Sequence, residues 1–119
     1  MASVLIEEVF NRISTHKGVE GIIIADINGV PIKSTFKDEQ TTYFYSTSAS
    51  FFIKRCSTLV KILINKEYKK SDEIQNKQDD TIKEELSFIR LRTKFNEIMI
   101  APDKDFLLLV VQNSTLSSN

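Results

Sequence analysis

A short polar turn between two apolar runs constrains the fold of this chain more than any other feature. The run over residues 19–25 is almost wholly apolar and β-branched, and the pair Asn28-Gly29 separates it from a second run over 30–35. Asn-Gly supplies the positive φ angles of a two-residue type I′ turn, so the pattern predicts an antiparallel hairpin. The first run has no polar side, which predicts a central strand. Pro31 lacks an N–H, which places the second strand at a sheet edge.

Helical periodicity flanks this hairpin on both sides. Before it, apolar residues at helical spacing predict a first helix that ends near residues 16–18. After it, a long helix is predicted from Thr41 to about Ile64, with Ser46, Ser50, Lys54, Ser57 and Lys61 on its polar face. Its two adjacent apolar stripes are Tyr45, Ala49, Phe52, Cys56, Val60 and Leu63, and then Phe44, Phe51, Leu59 and Ile62. Two stripes exceed what one sheet contact requires, so we expect this helix to contact a partner protein.

The remainder of the chain predicts a charged insertion and three further strands. Residues 65–85 alternate Lys with Asp and Glu and have no sustained apolar stripe, as a loop insertion does. Strands are predicted over 87–92, 97–101 and 106–112, the last two separated by the turn residues Pro102 to Asp105. We therefore expect one α/β domain of the α+β type over 1–113, with a five-stranded sheet, and a frayed polar tail over 114–119.

Composition excludes several functional classes. Sixteen basic residues balance sixteen acidic residues, so no net charge favours a nucleic acid or an anionic membrane as partner. The longest apolar run, 106–111, is far shorter than the ~20 residues of a membrane-spanning helix. Cys56 is the single cysteine, which excludes an intramolecular disulfide, and no secretion signal is expected at the N-terminus. These features predict a cytoplasmic protein.

No residue pattern indicates catalysis, a cofactor or a metal. The three glycines form no phosphate-binding fingerprint, and one histidine with one cysteine is a poor ligand set for zinc. Cys56 and His16 are a weak nucleophile and base pair, because a lone cysteine on an apolar helical stripe is usually a core residue. The carboxylate pairs 79–80, 84–85 and 103 with 105 lie in loops or turns, where solvated surface charges are common. Arg90 and Arg92 alternate as solubilising residues of an exposed strand do. We expect no enzyme.

The order helix, hairpin, long helix and three strands resembles the roadblock family of dynein light chains. The resemblance extends to blocks of sequence: Lys17-Gly18-Val19-Glu20-Gly21-Ile22-Ile23 with Gly29-Val30-Pro31-Ile32-Lys33-Ser34-Thr35, then Phe88-Ile89-Arg90-Leu91-Arg92, then Asn96-Glu97-Ile98-Met99-Ile100-Ala101-Pro102-Asp103-Lys104-Asp105-Phe106. It covers nearly the whole chain. This chain differs in the insertion over 65–85, roughly ten residues longer than the loop that typical members have there, and in a more aromatic long helix.

The resemblance implies a dimer. In it the long helices pack near the two-fold axis on one face of the sheet, the N-terminal helix covers the other face, and the third strands meet edge to edge to form a continuous ten-stranded sheet. The interface residues that it implies are Phe51, Phe52, Arg55 and Leu59 on the helix and Ile89 and Leu91 on the strand. Homodimer and heterodimer with a second roadblock-type chain both remain open.

The resemblance also implies a function in assembly. It predicts a non-catalytic dynein light chain that binds the dynein intermediate chain and supports the motor complex in microtubule-based movement, in the cytoplasm and cytoskeleton or in a ciliary axoneme. The alternative is a regulatory scaffold for a small GTPase, because relatives with the same dimeric sheet act as exchange or activating platforms.

Overall fold

The computed structural model describes residues 2–66 and 84–113, with side chains from residue 7 onward. Most of the predicted insertion and all of the predicted tail lie outside these residues. Within them the chain forms two helices and five strands. In chain order they are α1 (Ala2–Ser14), β1 (Val19–Asp26), β2 (Pro31–Ser34), α2 (Glu39–Leu59), β3 (Ile89–Arg92), β4 (Asn96–Pro102) and β5 (Phe106–Asn113).

The five strands form one antiparallel sheet in the order β2-β1-β5-β4-β3. The apolar run of β1 lies in the interior of the sheet, between β2 and β5, as its lack of a polar side predicts. Pro31 begins an edge strand, where its missing N–H costs no ladder hydrogen bond. The other edge is β3, the strand that the roadblock resemblance assigns to the dimer contact. These elements confirm the predicted fold class.

Each face of the sheet packs against one helix. The larger core lies beneath α2 and joins alternate residues of four strands to the helix. Its buried members are Ile23, Ala25, Ala49, Ile53, Ile89, Ile100, Leu107, Leu109 and Val111. The smaller core lies beneath α1 and contains Phe10, Ile22, Ile24 and Val110. Lys33 of β2 contacts two residues of α1. Its ammonium lies 3.1 Å from the Glu7 carboxylate and 4.9 Å from the centre of the Phe10 ring.

The β1–β2 turn differs from the predicted type I′ turn. Type I′ needs positive φ at both Asn28 and Gly29, but only Gly29 has it, at +94°. Instead Asp26 organises a three-residue loop: its carbonyl accepts from the Gly29 N–H, and its carboxylate accepts from the N–H groups of Asn28 and Val30, each at 2.9 Å. This arrangement, in which a left-handed glycine follows a tight turn, is the next most common hairpin connection. The hairpin was predicted correctly and the turn type was wrong.

The long helix begins two residues earlier than predicted because Asp38 caps it. The Asp38 carboxylate accepts from the Thr41 hydroxyl at 2.7 Å and from the Gln40 N–H at 3.2 Å. After Leu59 the helix continues as a π-helical turn, Val60–Ile64. Asn65 follows, and its side-chain amide donates to the Glu84 carbonyl and accepts from the Glu84 N–H, which joins the two ends of the segment between them. No helix of the described residues is long and apolar enough to cross a membrane.

Candidate protein-interaction surface

The face of α2 that lies on the sheet is made of small and mostly polar residues. Its buried members are Thr42, Ser46, Ala49, Ser50 and Ile53. The prediction that Ser46 and Ser50 lie on the solvent face is therefore wrong. The aromatic stripe around Phe51 is turned outward instead.

Hydrogen bonds from the two serine hydroxyls stabilise the packing of this face on the sheet. The Ser46 hydroxyl donates to the Thr42 carbonyl one turn earlier, and the Ser50 hydroxyl donates to the Ile27 carbonyl in the β1–β2 turn, both at 2.8 Å. The small side chains also let the helix approach that turn closely. A Cβ atom on Gly29 would lie 3.1 Å from the Ser46 carbonyl oxygen and from the Ser50 Cβ. Buried hydroxyls with satisfied hydrogen bonds cost little, so the helix can turn its large apolar residues outward.

A mostly apolar stripe runs along the outer face of α2 and its π-helical turn. Residues on the stripe are spaced by three or four positions, so they lie on one side of the helix. They are Phe44, Ser48, Phe51, Arg55, Leu59 and Ile62, and all six are exposed. Phe44 is 68% exposed, Phe51 60% and Leu59 52%. The Arg55 guanidinium lies 5.0 Å from the centre of the Phe51 ring, close enough for a cation–π contact. Exposed large apolar residues that share one side of a helix often mark a protein interaction site.

An apolar groove of about 490 Å³ separates this stripe from strands β3 and β4. Phe52 lines the groove, is half-buried, and also packs against the core beneath α2. The groove is lined by Phe44, Tyr45, Thr47, Ser48, Ala49, Phe51, Phe52, Leu91, Ile98, Ile100 and Leu109.

The β3 edge places its two predicted interface residues differently. Leu91 is 41% exposed and lines the groove, whereas Ile89 is only 8% exposed and belongs to the chain's own core. Ile89 therefore offers a partner its backbone and little of its side chain. On the other face of the strand, the Arg90 guanidinium pairs with the Glu97 carboxylate at 2.5 Å. Glu97 is only 2% exposed, so this ion pair neutralises a buried charge.

The structure brings five of the six predicted interface residues together on one surface. Phe51, Arg55 and Leu59 lie on the outer stripe, and Phe52 and Leu91 line the groove beside it. Phe44 belongs to the same surface but was absent from the predicted interface. Its sequence signal was present, since Phe44 precedes Phe51 by seven residues and so shares its side of the helix. The surface combines an apolar groove with one cation, the Arg55 guanidinium, which lies over the Phe51 ring.

A family model for the Roadblock/LC7 domain matches residues 5–62, from α1 through the hairpin to the end of α2. Over these residues the chain matches the Roadblock/LC7 family, and its five-stranded fold is that of roadblock domains. A Roadblock/LC7 domain from Streptomyces avermitilis has a similar structure, with a TM-score of 0.66 at 6% identity, covering 87% of this chain and 72% of that one. The family model and the Streptomyces structure identify the domain and its fold. Neither indicates an association with dynein.

Two structures of MglB share the roadblock fold. The gliding protein MglB from Thermus thermophilus has a TM-score of 0.66 at 11% identity, covering 92% of this chain and 71% of that one. An MglB with a tetrameric arrangement has a TM-score of 0.67 at 11% identity, with the same coverage of each chain. At such identities the matches show the fold alone.

The residues weighed for catalysis are not assembled into a site in the described part of this roadblock domain. Cys56 packs against the core beneath α2, whereas His16 is exposed at the end of α1, on the opposite face of the sheet. Asp103 and Asp105 are exposed in the β4–β5 turn, and Glu84 and Glu85 are exposed ahead of β3. No group of three or more potential metal ligands occurs among the described residues. Asp79 and Asp80 lie outside them.

Proposed function

We propose that this roadblock chain is a non-catalytic scaffold that dimerises through α2 and β3 and holds another protein on the resulting surface. The observation that carries the proposal is the exposed apolar stripe on α2 beside a groove that is lined in part by the edge strand β3. Exposed aromatic residues that flank a preformed groove are typical of protein interfaces. The tetrameric arrangement of an MglB with this fold supports self-assembly.

The composition of the surface suits a stable interface. A standard interface would bury about 800 Å² on each partner. The stripe has a single charged member, Arg55, and its guanidinium rests on Phe51. Depletion of charge in the core of a patch distinguishes interfaces from ordinary surface. These features support a binding role in preference to an enzymatic one.

One proposed role is a regulatory scaffold for a small GTPase. Roadblock relatives with the same dimeric sheet act as exchange or activating platforms for such enzymes. This chain is structurally similar to MglB, and the Thermus thermophilus MglB is described as a gliding protein. This similarity supports the GTPase-scaffold role at least as well as it supports a role in dynein. In this proposal the chain supplies no catalytic residue and positions a GTPase against the dimer.

The second proposed role is that of a dynein light chain. The sequence over 17–35, 88–92 and 96–106 resembles that branch of the family block by block. In this proposal the dimer binds a segment of the dynein intermediate chain and supports assembly of the motor for microtubule-based movement. The protein would then reside in the cytoplasm and cytoskeleton, with the ciliary axoneme as one location.

A binding experiment on the full chain distinguishes the two roles. The purified chain is mixed separately with a dynein intermediate-chain segment and with small GTPases loaded with GDP or a non-hydrolysable GTP analogue, and binding is measured by calorimetry. A nucleotide-dependent complex with a GTPase supports the regulatory scaffold, and a complex with the intermediate-chain segment supports the dynein light chain. A monomer that binds neither probe contradicts the proposed function.

A further inference from the structure

The sheet face that packs against α1 is only partly covered by that helix. Neighbouring strands lie about 4.8 Å apart, so five strands extend over roughly 20 Å, whereas a helix with its side chains is about 10 Å across. α1 packs over β1 and β5, where Phe10 shares a core with Ile24 and Val110. The part of this face that β4 and β3 form therefore has room for a second helix beside α1.

An apolar groove, here called the flank groove, follows the open side of α1. It consists of two cavities of about 260 and 470 Å³ that share Ala101 and Leu108 as lining residues. Ile13 of α1 lines the first cavity, and Val9, one helical turn earlier, lines the second. The exposed ring of Phe88, just before β3, also lines the first cavity. Apolar side chains of the helix and of the sheet thus face the same groove.

The two ends of the flank groove carry opposite charges. The turn between β4 and β5 lines the second cavity with two carboxylates and one ammonium, all exposed: Asp103, Lys104 and Asp105. At the first cavity, Arg90 lies directly across from Met99, which lines that cavity. Arg92 lies across from Glu97, the buried carboxylate that pairs with Arg90, so two guanidiniums exceed one carboxylate there.

The charges of α1 follow the same direction. Glu8 precedes Val9 at the second cavity, and Arg12 precedes Ile13 at the first. The acidic part of the helix therefore lies at the end of the groove that the β4–β5 turn forms, and its basic part lies at the end near Arg90. Both walls of the groove are negative at one end and positive at the other.

We propose that the flank groove binds an amphipathic helix of another protein, antiparallel to α1, with an acidic first turn and a basic last turn. Helices commonly carry such charges, because acidic residues are favourable at the helix N-terminus and basic residues at the C-terminus. Only the antiparallel direction brings the acidic turn to Arg90 and the basic turn to Asp103 and Asp105. The apolar stripe of the bound helix fills the groove, as in other complexes in which a helix occupies an apolar groove.

The flank groove is separate from the α2 surface of the proposed dimer. It lies on the opposite face of the sheet, and none of the residues that line it belongs to the outer stripe of α2. Binding in the flank groove therefore goes beyond the proposed function and does not depend on the dimer.

Fluorescence anisotropy on the full chain tests the proposed binding. The probe is a labelled synthetic peptide of about fourteen residues, with Leu along one helical stripe, Glu in the first turn and Lys in the last. Phe88→Asp should weaken binding at least about tenfold, because it places a carboxylate against the apolar stripe of the peptide. Phe95→Asp is the matched control, since Phe95 is also exposed but lines neither cavity, and it should bind as wild type does.

Asp105→Lys is a second variant, which leaves the core untouched because Asp105 is exposed in the β4–β5 turn. It reverses the charge at one end of the groove, so the same peptide should bind at least about threefold more weakly. Salt at about 1 M should remove this difference, because the Debye length is then only about 3 Å. Equal binding of Asp105→Lys and wild type at low salt would contradict the assigned polarity.

A nitroxide label on one end of the peptide tests its direction by NMR. A label on the first turn should broaden the amide signals of Arg90 and Met99, and a label on the last turn should broaden those of Asp103 and Asp105. The reverse pattern, or broadening along α2, would overturn the proposal.

Light scattering on the same samples separates this proposal from the proposed dimer. A dimer that does not bind the peptide, or that binds it equally well after Phe88→Asp, would overturn flank-groove binding and leave the dimer standing. A monomer that binds the peptide would do the opposite. If Phe88→Asp lowers the mass of the chain alone, the occupant is a second copy of this chain and the proposal is overturned. Binding lost in Phe88→Asp, with circular dichroism unchanged, and kept in Phe95→Asp would support it.

Discussion

Ser46 and Ser50 occupy positions where a helix on a sheet ordinarily places aliphatic side chains. Their hydroxyls bond to carbonyls at 2.8 Å, so they pack as small residues with no unsatisfied polar atom. The aromatic residues of the helix are consequently free for a partner. A sequence pattern alone ranks serine as a surface residue, so it placed these two serines on the solvent face. The hydrogen bond to Ile27 that reverses this assignment spans 23 residues and has no local sequence signal.

At this scale, Phe51→Asp should abolish self-association and leave the fold intact. Phe51 is largely exposed within one chain, so a carboxylate there costs little until it is buried against a partner. Ile53→Asp, two residues away, should instead destabilise the monomer by at least about 3 kcal/mol, because Ile53 is buried in the core. Light scattering and thermal denaturation separate the two effects. A Phe51→Asp chain that remains a dimer at micromolar concentration would show that the stripe is not the interface.

Phe52→Asp is a poorer test than Phe51→Asp. Phe52 was predicted to be an interface residue, and it does line the groove, but it also packs against the core beneath α2. A charge there would disturb folding and association together. The sequence placed Phe51 and Phe52 side by side, and only the rotation of the helix about its axis distinguishes their roles.

Gly29→Ala should destabilise the fold by about 1 to 2 kcal/mol. Gly29 has φ of +94°, a conformation that costs roughly this much for a residue with a Cβ atom. The added Cβ would also press against the Ser46 carbonyl and Ser50 at 3.1 Å. Urea denaturation measures the loss, and Asn28→Ala, at a neighbouring position without positive φ, serves as control. Equal stability of the two variants would contradict this account of the turn.

At the scale of elements, the hairpin and both helices were predictable because each has a strong local pattern. Their ends were less so. The start of α2 depends on hydrogen bonds to the Asp38 carboxylate, and the turn type depends on hydrogen bonds to the Asp26 carboxylate. Such hydrogen bonds from the backbone to a side chain can override the local residue pattern. Strand β3 was predicted, but four alternating residues could not show which side faces α2, so Ile89 was assigned to the interface when its side chain is in the core.

The cap makes the stability of α2 depend on pH. The Thr41 hydroxyl and then the Gln40 N–H hold the pKa of Asp38 below its ordinary value. A depressed pKa stabilises the folded state above the unfolded pKa, about 3.9, and this contribution disappears as pH falls through the folded pKa. Asp38→Asn keeps the cap acceptor and removes the charge. Wild type should therefore be more stable than Asp38→Asn at neutral pH, with the difference closing below about pH 4. A difference that is constant across this range in denaturation titrations would exclude the charge effect.

At the scale of the whole molecule, the five-stranded sheet with a helix on each face, which the roadblock resemblance implies, is confirmed. The exposed apolar surface of α2 was predictable in outline, since two apolar stripes on one helix exceed the need of one sheet contact. Its details were not, because the groove is formed by α2 together with β3 and β4, whose relative placement is a property of the tertiary structure.

An apolar dimer interface should also respond to salt in a characteristic way. Between about 0.1 and 1 M salt the Debye length falls from roughly 10 to 3 Å, which removes any residual repulsion between the Arg55 side chains of the two subunits. The dimer dissociation constant should therefore stay constant or decrease, as measured by sedimentation equilibrium. Marked weakening at high salt would indicate an interface held by opposite charges and would favour a heterotypic partner.

The most direct test of the α2 surface as an interface is size-exclusion chromatography with light scattering on the purified chain, alone and with each partner probe. The account predicts a mass near twice 13.6 kDa for the chain alone, and a larger mass with one of the probes. A mass of 13.6 kDa at every concentration, unchanged by either probe, would contradict it.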